Sequence, residues 1–112
     1  MYKYSKVHQR IVKIDGYRIS CYDDFIKEIE KQLSFPRSCT GSIDRYLDWM
    51  RDLSWIKERS IRISIINSQN LTYGKNHVII DDINELIIPF WTSDVTKYVV
   101  DGEPKHIVLE LQ

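Results

Sequence analysis

Ile61, Ile63 and Ile65 alternate with Arg62 and Ser64, a two-residue period that predicts a strand with one buried face. Residues 106–111 read as a closing strand. Residues 10–14 read as an opening strand, followed by an Asp15-Gly16 turn and an extended return over residues 17–19. Between the first two strands the spacing changes to that of helices. Over residues 23–33, Phe25 or Ile26, Ile29 and Leu33 fall on one face, with Lys27, Glu28, Glu30 and Lys31 outside it. Residues 34–41, with Pro36, break that helix, and Ser42 is a natural N-cap for the next.

The second helix is expected to run to about residue 55, burying Ile43, Tyr46, Leu47, Met50 and Leu53. Residues 67–76 read as a polar loop and residues 81–88 as a helix, with which Pro89 then interferes. Residues 96–100 are undecided between a hairpin turn and a helix end. The order strand, helix, helix, strand, helix, strand predicts an α/β fold: a small three-stranded parallel sheet, covered by helices on one side and joined by right-handed crossovers.

Composition bounds this picture. With 112 residues, 43% hydrophobic and 29% charged, the chain suits a single domain, residues 1–112, with residues 1–9 as a basic arm. The longest apolar runs, residues 78–80 and 86–91, are far shorter than the roughly 20 residues of a membrane helix. The first residues lack the apolar stretch of a secretory signal, so a cytoplasmic location is expected, where Cys21 and Cys39 would remain thiols. Charge is balanced in total but not in place. Residues 1–14 carry four Lys/Arg and no acid, leaving 12 basic against 16 acidic residues in the rest. An acidic body argues against a nucleic-acid reader and suits a cationic partner. In the basic arm and just after it, Tyr2, Lys3, Tyr4, Lys6 and Arg10 offer contacts for RNA or an acidic protein.

The usual enzyme motifs are absent: there is no phosphate-binding Gly-rich loop, no His-Glu-x-x-His, no Cys-x-x-Cys and no Gly-x-Ser-x-Gly. His8, His77 and His106 are far apart in sequence, and Cys39 has no neighbouring base to activate it. The informative feature is a row of acids. Asp44, Asp48 and Asp52 fall away from the buried face at i, i+4 and i+8, about 6 Å apart along a helix axis. The row is open to three readings: a solvated face, a surface for a cationic partner, or carboxylates for a metal or an enzyme site.

Residues 35–55 together resemble the signature of barstar-like ribonuclease inhibitors. An apolar-Pro pair, Phe35-Pro36, ends the first helix; a loop with Gly41 follows; and the next helix carries Asp44 and Asp48, two aspartates four apart. Ile14-Asp15-Gly16 and the helix beginning near Asp23 also look like that family's opening. The chain departs from the pattern where Ser38 and Cys39 replace the loop aromatics, and where Thr40 precedes Gly41 instead of a glycine standing there. Asp94 and Asp101 are the candidates for the acids of the last helix, where Lys97 would oppose a cationic target. The resemblance implies a protein that does no catalysis, needs no cofactor or metal, and inhibits a ribonuclease or nuclease toxin, for instance as an immunity protein. Its carboxylates would enter the enzyme's cationic active site. The implied partner-binding residues are Ser38, Cys39, Gly41, Asp44, Asp48, Trp49 and Asp52. The runner-up is a small metal-binding protein or enzyme that uses the same carboxylates.

Overall fold

A computed structural model of the chain describes residues 9–92 and 104–112. Three strands, β1 (Gln9–Asp15), β2 (Ser60–Ile66) and β3 (His106–Leu111), pair in parallel in the order β1-β2-β3. The register sets Val12 beside Ile63 and Ile63 beside Leu109. Because side chains alternate across a strand, this register gathers Val12, Ile14, Ile61, Ile63, Ile65 and Ile107 on one buried face. The other face carries Ile11, Lys13, Arg62, Ser64 and Glu110, and Ile11 is exposed on it. The fold is α/β, with its core on one side of an open sheet.

The core is closed by α1 (Tyr22–Gln32), α2 (Ile43–Met50), a short α3 (Gln69–Thr72) and a helical run through α4 (His77–Asp82), a π-helical turn (Ile83–Ile87) and α5 (Ile88–Thr92). From α1, Phe25, Ile26, Ile29 and Leu33 are all buried, as the helical spacing predicts. Cross-links fix α2 in place. Tyr46 meets Tyr22 and Phe25 edge-on at 5.7 and 6.2 Å, and the buried Trp91 indole donates to the Met50 carbonyl at 2.9 Å. The Tyr22 hydroxyl in turn donates to Asp82 at 2.7 Å, joining α1 to α4.

Four sequence-based expectations are corrected. The extended return after Asp15 is instead a 3₁₀ turn, Gly16–Arg18, because the Asp15 carboxylate caps it by accepting from the Tyr17 amide at 3.0 Å. Gly16 is needed there, since a Cβ would sit 2.3 Å from the Asn67 carbonyl oxygen. The polar loop at 67–76 contains α3, which exists because Leu71 is completely buried. The helix expected at 81–88 starts at His77 and continues past Pro89 to Thr92. A proline has no amide proton for the i−4 carbonyl, and the π turn immediately before Pro89 accommodates that loss without ending the helix. The second helix stops at Met50 instead of near residue 55. Asp94, Lys97, Asp101, the undecided segment 96–100 and the arm up to residue 8 lie outside the described residues.

Candidate functional site

The loop between α1 and α2 is built from both ends. Ser34 takes a left-handed conformation (φ 52°), and the Phe35 amide donates back to the Glu30 carbonyl at 2.9 Å. That closes α1 in the manner of a Schellman cap, after which Pro36 cannot continue it. At the far end Ser42 caps α2 as expected, its hydroxyl accepting from the Arg45 amide at 3.2 Å. Gly41, at φ 93°, makes the turn into that cap, a conformation that side chains rarely adopt.

Two carboxylates of α1 hold the loop between these ends. Glu30 accepts from the Ser38 hydroxyl at 2.9 Å, the Cys39 amide at 2.8 Å and the Thr40 hydroxyl at 3.0 Å, and the Cys39 thiol lies 3.6 Å away. Asp23 accepts from the Gly41 amide at 2.9 Å. Burial works against the Glu30 charge. The hydrogen bonds from Cys39, Ser38 and Thr40 outweigh it, and hold the carboxyl below its ordinary 4.5. A folded pKa below the unfolded one means that this stabilisation is present above pH 4.5 and is lost as pH falls through the folded value. Glu30→Gln turns one acceptor into a donor facing other donors, and is expected to cost about 1–2 kcal/mol at neutral pH. In urea denaturation, the gap between variant and wild type should narrow in acid below pH 4.5; a gap that does not change with pH would show that the charge is not what holds the loop.

From this frame α2 projects its polar side. Asp44 and Asp48 are exposed on the helix, and the Asp48 side chain is 77% exposed. Arg51 reaches Asp48 at 3.3 Å and also donates to the Leu47 carbonyl at 3.2 Å. Asp52 is not the third member of a helical row, because the chain leaves the helix at Arg51 and turns through Leu53 at φ 53°. The strain of that left-handed leucine, of order 1–3 kcal/mol, is offset by its complete burial. Asp52 still comes back beside Asp48: Arg37, Ser38, Arg45, Asp48, Trp49 and Asp52 line one shallow cleft of about 370 Å³. Trp49 is half-buried and forms a wall of that cleft, within a cluster in which Phe35, Trp49 and Trp55 meet edge-on or tilted at 5.2 to 6.2 Å. The Trp55 indole anchors the cluster by donating to the Leu33 carbonyl at 2.8 Å.

The structure therefore brings Ser38, Asp48, Trp49 and Asp52 together, while Gly41 shapes the loop and Asp44 stands outside the cleft lining. Cys39 is corrected. Its side chain is only 2% exposed and belongs to the core, so it offers a partner no side-chain surface. Burial, then the Glu30 contact, push its thiol up to about 11, the reverse of what a nucleophile needs. Ile43, expected on the buried face, is 41% exposed. Sequence reasoning missed Glu30 and Asp23 as loop holders, and Arg37 and Arg45 as cleft residues. Pro36 and Gly41 flagged a constrained loop, but nothing in the spacing named its anchors. Among the described residues, no group of three or more His, Cys, Asp or Glu could hold a metal ion, and no helix is long and apolar enough to cross a membrane.

The model of one protein family, described as Barstar (barnase inhibitor), matches residues 9–101 of the chain, from the start of β1 to beyond α5. No curated protein and no solved structure matches it.

Proposed function

The chain belongs to the barstar family, a family of ribonuclease inhibitors, and from that premise we propose that it blocks a ribonuclease by placing Asp48 in the enzyme's phosphate site. Asp52 lies beside Asp48 in the cleft, Asp44 extends the acidic surface along α2, and Ser38 and Trp49 supply the surrounding contact area. One observation carries the reading: Asp48 is an exposed carboxylate at the cleft, on the second turn of the helix that follows the loop Glu30 and Asp23 hold in place. A carboxylate whose backbone is ordered before binding loses little entropy on docking. A ribonuclease must bind a phosphodiester with cationic groups, and a carboxylate presented on a rigid scaffold competes for those groups without being cleaved.

Such an inhibitor acts in the compartment where the nuclease would do harm, which we take to be the cytoplasm, as a resident inhibitor or as the immunity partner of a nuclease toxin. Purified protein is expected to leave a fluorogenic RNA substrate intact. Added to a barnase-type ribonuclease, or to the nuclease encoded beside its own gene, it should abolish cleavage at a one-to-one ratio. Full nuclease activity at large molar excess over both enzymes would overturn the reading.

A further inference from the structure

The cleft that holds Asp48 and Asp52 is not simply acidic, because Arg37 and Arg45 line it too. Three other arginines are tied down within the molecule. Arg10 pairs with Glu58 at 3.0 Å, Arg51 with Asp48 at 3.3 Å, and Arg62 with Glu110 at 3.2 Å. Among the described residues, the guanidinium groups of Arg37 and Arg45 have neither an ion pair nor a hydrogen bond, although Arg45 stands only three residues from Asp48 on the same helix. Two free forks of donors thus share a cleft with two carboxylates. Arg45 comes from the first turn of α2, whereas Asp48 comes from the next and Asp52 from beyond its end, so the sign of the charge changes along the cleft.

Resting on the inhibitor reading above, we infer that this cleft takes a dipolar protein surface: cations facing Asp48 and Asp52, flanked by at least one carboxylate that Arg45 and Arg37 pair with. A purely cationic face would gain from the aspartates and be repelled by the arginines, because like charges brought together across an interface act against the wrong partner. A guanidinium meets a carboxylate through two parallel hydrogen bonds, so such a pair fixes orientation as well as charge. Arg45 and Arg37 then act as specificity determinants, separating targets that share a cationic phosphate site by whether an acid stands beside it.

The test measures inhibition of barnase by wild type, Asp48→Ala, Arg45→Ala and the double reversal Arg37→Glu/Arg45→Glu, with melting temperatures to verify folding. The inference expects Arg45→Ala to weaken inhibition several-fold and the double reversal to weaken it by roughly thirtyfold or more, with no change in melting. Loss of inhibition in Asp48→Ala combined with unchanged or tighter inhibition by the reversal would overturn the inference and leave the Asp48 reading standing. Unchanged inhibition in Asp48→Ala, with loss in the arginine variants, would overturn the Asp48 reading and with it the dipolar surface, leaving only the arginine contacts. If barnase is not inhibited by wild type, the cleft is probed directly through the Trp49 indole N–H resonance with three hexapeptides: alternating Glu-Arg, all Arg and all Glu. A larger perturbation by the alternating peptide supports the inference; a larger one by either single-charge peptide overturns it. An RNA oligonucleotide perturbing Trp49 at lower concentration than any peptide would also overturn it, by showing the arginines to be phosphate contacts.

Discussion

Replacing Asp48 with alanine is expected to weaken inhibition of the ribonuclease by about 2 kcal/mol or more, roughly thirtyfold, while the melting temperature stays nearly unchanged. The barnase–barstar pair is itself the established example of charged hot spots and electrostatic steering, and the magnitude is carried over from it. The structural reason is specific to this chain. Asp48 points away from the core, its only ion partner among the described residues is the half-buried Arg51, and a surface i,i+3 pair of this kind is worth a few tenths of a kcal/mol at most. Folding therefore loses little. On the proposed mode of inhibition, binding would lose the carboxylate that neutralises desolvated cations, and those cations would be left unpaired inside the complex. Added salt should slow association more than it speeds dissociation, because screening acts on the approach of the partners. Titrating one ribonuclease with wild type and variant decides the matter: equal affinities would reduce the acidic surface of α2 to a solvated helix face.

Truncating Met50 to alanine should have the opposite profile, lowering stability by about 2–5 kcal/mol without altering any residue of the cleft. Met50 is completely buried, and it sits where α2 ends and the Trp91 indole binds the backbone. Removing its side chain leaves a cavity at that junction, in a core packed too tightly to collapse fully around it. Leu47→Ala belongs to the same class, with 7% of the residue exposed. Ile43→Ala is the control. Helical spacing puts Ile43 with Met50, but it is 41% exposed, so its truncation should cost roughly 0.5 kcal/mol or less. Thermal melts of the three variants should separate Met50 and Leu47 from Ile43 by about 6 °C or more. Melting of Met50→Ala and Leu47→Ala at the wild-type temperature would mean that α2 is rotated about its axis from the orientation described.

What the sequence determined by itself is what depends on near neighbours. The alternation of Ile61, Ile63 and Ile65 made β2 a strand with one face inward, and the spacing of Phe25, Ile26, Ile29 and Leu33 made α1 amphipathic. Ser42 marked the start of α2 because capping is a contact over three residues. The run from Phe35 to Trp55 was enough to point to the family. Everything that makes the cleft came from contacts that spacing does not encode. Nothing in Arg51-Asp52-Leu53 is a helix breaker; α2 ends there because the core takes Leu53 even at a left-handed backbone angle. Glu30 has the sequence signature of a solvated helix residue, yet it faces a loop eight to ten residues ahead that needs acceptors for its amide and hydroxyls. Cys39 turns inward, and Arg37, from the loop, shares a cleft with Arg45, from the helix, and with Asp48 and Asp52. Periodicity distinguishes inside from outside on one element. Which outside residues share a surface depends on how a loop and a helix pack on a common core, and only the tertiary structure decides that.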